Sequence, residues 1–229
     1  MTKKNLFIIA EAGVNHNGQL DKALKLCDIA NECGADAIKF QTWDTDLLIE
    51  KGTKMASYQS KNTSIYVDQY DMLKNLELSY HDFEKINNYC KSIGIEFMST
   101  PDEQKSLEFL CNELKCKKIK IGSSDLTNLP LLKKAASYGK YLIVSTGMGN
   151  MEDINDAINA MGCPEKDKLA FLHCTSLYPC PPEAVNLKSI TEMSKQLNYD
   201  IGFSDHTIGS VASCGAIALG ANIIEKHFT

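Results

Sequence analysis

The chain has 229 residues, 44% hydrophobic and 23% charged, which is enough for one domain with a large core. With 24 basic against 29 acidic residues the net charge is -5, which argues against nucleic acid as the main partner, since a phosphate backbone calls for a basic face. No apolar run reaches the ~20 residues of a membrane span, and in the opening MTKKNLFIIAEAG the apolar stretch is too short, and cut by Glu11, for a signal peptide.

In chain order, FIIAEAG (7–13) predicts a first strand, and Leu20, Ala23, Leu24, Cys27 and Ala30 then form one face of a helix closed by Gly34. AIKFQTW (37–43) is a second strand. A long polar segment, about 44–80, follows it and is expected to be a functional loop or lid. The helical pattern resumes in HDFEKINNYCKSIG, and IEFMSTPD, KKIKIGSS and YLIVSTG (95–102, 117–124 and 141–147) are strands three to five. Asn150 caps a helix whose apolar face is Met151, Ile154, Ile158 and Met161. LAFLHCTS (169–176), YDIGFSDHT (199–207) and ANIIEKHFT (221–229) complete a set of eight strands.

Eight strands alternating with helices predict an α/β fold, a (β/α)8 TIM barrel occupying 1–229 as a single catalytic domain. An open doubly wound sheet is the alternative, but AGVNHNG lacks the GxGxxG turn of its dinucleotide-binding members. Because the sequence stops at the tip of strand eight, the final helix is expected to be missing. The nine scattered cysteines, with no CxxC, predict reduced thiols packed in the core of a cytoplasmic protein rather than a zinc site.

Barrel strands are buried on both faces, so a charge inside one needs a reason. Lys39 and Gln41 take the opposite parity from Ile38 and Phe40, Lys120 from Ile119 and Ile121, Glu11 from Ala10 and Ala12, and Ser145 from Val144. The polar parity is expected to face the barrel mouth, where active sites of this fold lie. The rival is a structural ion pair such as Glu11 with Lys39. Two inward lysines with Ser123, Ser124, Ser145, Thr146 and Ser204 suit a phosphate or carboxylate.

Among the histidines, His81 is expected on the surface, His173 reads equally as core or site, and His16 as a helix cap or a substrate contact. His206 and His227 each end a strand, and together they suggest an open, catalytic metal site.

IAEAGVNHNG, KFQTW, STPD, KIGSSDLTNLP, STGM, LHCTSLYP, GFSDHT and EKHFT, in this order, resemble the N-acetylneuraminate (sialic acid) synthase family, which includes legionaminic and pseudaminic acid synthases. The resemblance implies condensation of phosphoenolpyruvate with an N-acetylmannosamine-type aldose, an N-acetylated hexosamine. The products are a nine-carbon 2-keto sugar acid and phosphate, and a divalent metal, commonly Mn2+, is required. It implies His206 and His227 as metal ligands. Lys39, Thr100, Lys120, Ser123, Ser145, Ser176 and Ser204 are implied around phosphoenolpyruvate, and Glu11, Gln41, Asp125 and Tyr178 near the aldose and the reacting carbons.

Asp125 stands where the family often has glutamate, and Ser176 where sialic members often have asparagine or threonine. Full-length members continue into a small antifreeze-like domain that reaches into a partner's active site, so a homodimer is implied for the full-length protein and that domain is absent from these 229 residues. Two other functions compete with this one. One is a Schiff-base aldolase using Lys39 or Lys120 as nucleophile; the other is a catalytically silent barrel that only binds ligand or partner.

Overall fold

The strands fall where short apolar runs predict them, in a computed structural model that describes residues 6–53 and 68–229. They are β1 (Phe7–Gly13), β2 (Ala37–Thr42), β3 (Glu96–Pro101) and β4 (Lys118–Ile121), then β5 (Tyr141–Ser145), β6 (Leu169–Cys174), β7 (Asp200–Asp205) and β8 (Ile223–His227). All ladders are parallel, in the order β3-β2-β1-β8-β7-β6-β5-β4. The two ends of that order, β3 and β4, lie side by side, so the sheet curls into a (β/α)8 TIM barrel.

The helices cover the outside. They are α1 (Leu20–Glu32), α2 (Thr45–Leu48), α3 (Gln69–Leu76), α4 (Tyr80–Ile93), α5 (Gln104–Glu108), α6 (Leu129–Ser137), α7 (Met151–Ala160), α8 (Lys188–Gln196) and α9 (Val211–Ala218). Their periodicity explains their seats: α1 buries Ala23, Leu26, Cys27 and Ala30, and α4 buries Phe83, Ile86, Asn87 and Cys90 against it. The Cys27 and Cys90 thiols meet there at 3.5 Å, and all nine cysteines are free. Ends are set by local chemistry. Ser79 caps α4 by accepting the Asp82 N–H, Gly94 closes it at φ 85°, and Asn150 and Asp153 cap α7 reciprocally.

The segment expected to be one long polar loop differs from that expectation. It contains α2 and α3, both started by aspartates (Asp44 and Asp68) whose side chains accept N–H groups of the first turn. Capping signals, which outweigh the polar composition there, decide it. Residues 54–67 of that segment lie outside the described residues. No helix follows β8 among the described residues.

Side-chain alternation splits the core in two. Ile38, Phe40, Ile119, Phe171 and Phe203 point outward to the helices. Ile9, Met98, Ile143, Ala170, Leu172 and Ile223 point inward and plug the lower barrel. Everything polar on the inward parity above that plug is therefore held by strands, at the C-terminal mouth.

Candidate active site

Immediately above the plug lies a layer of buried charge. The ladder registers set Glu11 beside Lys39 on one side and His227 on the other, and Ser204 beside Glu225. Glu11, Lys39, Lys120 and Glu225 are each 5% exposed or less, so the lysines cannot be solvated and must be paired. Lys39 Nζ is 2.8 Å from Glu11 Oε2 and donates to Thr100 Oγ1 at 3.0 Å. Lys120 Nζ donates to Ser145 Oγ at 2.7 Å and to the Ile121 carbonyl at 3.0 Å. Glu225 sits between the two ammonium groups, 3.8 Å from each, and accepts from Ser204 Oγ at 2.8 Å.

These neighbours set the protonation states. Burial works against the charge on Glu225, but Lys120 and Lys39 outweigh it and hold its carboxyl below the usual range. Burial pushes the Glu11 carboxyl up, with Lys39 opposing and Glu225 adding to the rise. Lys39 is likewise desolvated, yet Glu11 and Glu225 keep it above its ordinary value. Burial lowers Lys120, with Glu225 offsetting only part of the effect. The layer is nearly neutral in total, with two lysines set against Glu225 and a Glu11 carboxyl that burial pushes towards its neutral form.

The two histidines border the mouth above this layer. His206 Nδ1 lies 2.8 Å from the Thr175 carbonyl, a contact that places the proton on Nδ1 and leaves Nε2 unprotonated, 3.4 Å from Ser204 Oγ. The His206 and His227 rings are 5.6 Å apart, and Tyr178 packs against both, at 4.1 and 5.9 Å. Burial lowers the pKa of each, that of His227 to about 4 with help from Lys39, so both are neutral at pH 7. Asp205 steadies the tip of β7 from the outward face, accepting from Ser213 Oγ at 2.5 Å and the Thr207 N–H at 2.8 Å and pairing with Lys226 at 3.0 Å.

Charge layer and histidines open into one cavity of about 740 Å³. Glu11, Lys39, Gln41, Thr100 and Lys120 line it from β1 to β4, and Ser123, Ser145, Ser176, Tyr178, Ser204, His206 and His227 from β4 to β8. Gly147 lets three of those strand ends converge: a Cβ there would stand 2.7 Å from Ser176 Oγ and 3.0 Å from Ser123 Oγ. Asp125 is placed differently. It lies in the turn after β4, outside the cavity wall, and accepts from Asn128 Nδ2 at 2.9 Å.

The other histidines stand apart from the cavity. His173 points outward and bonds the Val185 carbonyl at 2.7 Å, pinning the β6–α8 loop that carries Ser176 and Tyr178. His16 is buried under that same mouth face, with Nδ1 accepting from the Gly18 N–H at 3.1 Å, and His81 is exposed. Glu225, which shares strand parity with His227, and Asp102, which extends the inward series of β3, also line the cavity, although sequence reasoning gave neither a role in the site.

A divalent cation fits this mouth by its donor chemistry: two neutral imidazoles, one with its tautomer fixed by a carbonyl, leave the other positions to water and substrate. Among the described residues no three His, Cys, Asp or Glu side chains converge on one point.

A family model described as the NeuB family matches residues 26–229. The chain is 44% identical over 227 residues to an N,N'-diacetyllegionaminic acid synthase of Legionella pneumophila, covering 97% of this chain and 64% of that protein. It is 36% identical over 225 residues to a human N-acetylneuraminate-9-phosphate synthase, covering 97% of this chain and 62% of that protein. A crystal structure of an N-acetylneuraminic acid synthetase from Leptospira borgpetersenii, in complex with citrate, superposes with TM-score 0.87 at 32% identity over 98% of this chain and 73% of that one. The chain thus spans somewhat less than two thirds of the length of these two relatives.

Proposed function

We propose that this chain, which belongs to the NeuB family, forms the catalytic barrel of a synthase that joins phosphoenolpyruvate to an N-acetylmannosamine-type aldose. The products are a nine-carbon 2-keto sugar acid and phosphate. The observation that carries the reading is the pair of buried lysines with their hydroxyl partners directly beneath two neutral histidines in one cavity. A resident anion-binding layer below and a lone-pair-rich rim above match an enol phosphate below and an aldehyde above.

In this reading Lys39, Lys120, Thr100, Ser123, Ser145, Ser176 and Ser204 hold the phosphate and carboxylate of phosphoenolpyruvate so that its C3 faces the aldehyde, which is the proximity contribution. Gln41 and Tyr178 contact the aldose from the mouth, and Asp125, in the turn outside the cavity wall, would act near the reacting carbons through a bridging water. Glu11, raised by burial, holds and releases the proton of the water that adds at C2, and phosphate then leaves with C–O cleavage. His206 and His227 would hold a divalent ion, Mn2+ on this reading, whose contribution is Lewis-acid polarisation of the aldehyde. We read the protein as cytoplasmic; no helix among the described residues is long and apolar enough to cross a membrane. The full-length protein is read as a homodimer.

Phosphate release from phosphoenolpyruvate, measured with a panel of N-acetylated hexosamines with and without manganese, tests the function. Release that requires both sugar and metal is expected; metal-independent turnover trapped by borohydride would replace it with lysine Schiff-base chemistry. Oxygen label at the bridging position of phosphoenolpyruvate should leave in phosphate, and its retention in the sugar acid would exclude C–O cleavage.

A further inference from the structure

Asp102 occupies a place in the cavity that the chemistry above leaves unused. Glu96, Met98, Thr100 and Asp102 share the inward parity of β3 and rise through the barrel. Glu96 pairs with Lys118 at 2.6 Å near the floor, Met98 sits in the plug, and Thr100 receives Lys39. Asp102 is the next step up and lines the cavity. Since β3 lies between β2 and β4, its carboxylate stands above the gap between Lys39 and Lys120, and four strands round the ring from His206 on β7.

Its backbone N–H is taken by the Thr42 carbonyl at 3.0 Å, and among the described residues nothing donates a hydrogen bond to its side chain. Burial pushes its pKa up to about 7, with Lys39 opposing and Asp125 adding to the rise. Asp102 is part-buried, so water meets its carboxyl in the free cavity, and a ligand that displaces that water must bring a donor in its place. Phosphoenolpyruvate brings acceptors only, so it offers an ionised Asp102 no hydrogen bond. An aldose brings O–H and amide N–H donors.

We propose that Asp102 is a specificity-determining residue that accepts hydrogen bonds from hydroxyl or amide N–H groups of the acceptor sugar, an assignment that rests on the synthase reading above.

The test is steady-state phosphate release by the full-length protein and its Asp102→Asn variant with manganese, phosphoenolpyruvate and N-acetylated hexosamines that each lack one donor group. A hydrogen bond to a charged group is worth enough that KM for the preferred sugar should rise about 10- to 100-fold. KM for phosphoenolpyruvate should stay level or fall, because the variant removes what negative charge the carboxyl carries. For the sugar that lacks the partner of Asp102, wild type and variant should coincide, and whether that sugar lacks a hydroxyl or the amide identifies the donor. A merely structural role would penalise every sugar alike. Asp102→Ser, smaller and uncharged, should show the same selective shift and serves if the asparagine variant folds poorly. Equal KM values for the sugars in wild type and variants, or a uniform loss that includes phosphoenolpyruvate, overturn the role of Asp102 while leaving the synthase reading intact. Absence of phosphate release by the wild type with every sugar overturns the synthase reading itself, and this assignment with it.

Discussion

Glu225→Gln isolates what holds the charge layer together. The carboxylate stands 3.8 Å from both Lys39 Nζ and Lys120 Nζ. At that range each attraction is about 4 kcal/mol for an effective dielectric near 20. Lys39 keeps Glu11 at 2.8 Å after the substitution, whereas Lys120 keeps only Ser145 and a carbonyl, neither of them charged. The loss therefore falls mainly on Lys120, as an uncompensated buried ammonium, and the expected destabilisation is about 3–5 kcal/mol. That is a large share of the ~5–15 kcal/mol that holds an ordinary domain folded. Glutamine still accepts from Ser204, so packing is preserved. Urea unfolding at pH 7 measures the change without ligand. On the proposed function, the same variant should gain more stability from added phosphoenolpyruvate than the wild type does, because that ligand's charges then take the place of the missing carboxylate. An unfolding midpoint equal to wild type, with an equal response to phosphoenolpyruvate, would refute the view that Glu225 is the shared counter-ion of Lys39 and Lys120.

Gly202→Ala should cost about 1–3 kcal/mol by overpacking, since its Cβ would meet the Ile223 carbonyl and Leu172 Cδ2 at 2.5 Å; urea denaturation reads it, and an unchanged midpoint would deny the tight β7–β8 approach. Asn150→Ala removes the acceptor of the Glu152 and Asp153 N–H groups and should lower stability by about 1 kcal/mol in the same assay. His227→Ala should abolish manganese-dependent turnover and weaken manganese binding measured by calorimetry, and undiminished activity would remove His227 from the ligand set. Chelator treatment of the wild type should stop phosphate release, and added manganese should restore it.

Much of this architecture was legible along the chain because a barrel strand has only two faces. Period-two alternation fixes which residues go inward, so Lys39, Lys120, Glu11 and Ser145 were placed at the mouth from parity alone, and the structure brings them together there. Family motifs extended that to Thr100, Ser176 and Tyr178. The stretch 44–80 was less legible: its polarity suggested loop, yet Asp44 and Asp68 start helices, because local capping geometry decides helix starts irrespective of overall polarity.

By itself, then, the sequence determined the barrel, the inward parity and the type of chemistry at the strand ends. Only the tertiary structure decided who pairs with whom. Glu225 became the shared counter-ion of two lysines because ring closure brings β2, β4 and β8 around one axis. His173, ambiguous in sequence, faced outward to the Val185 carbonyl, and Asp125 settled in a turn outside the cavity while Asp102 took a place in its wall. The pairing of Glu225 with Lys39 and Lys120 joins residues more than a hundred positions apart, and the turns that seat His173 and Asp125 are set by side-chain contacts outside any strand, neither of which the periodicity of one strand can encode.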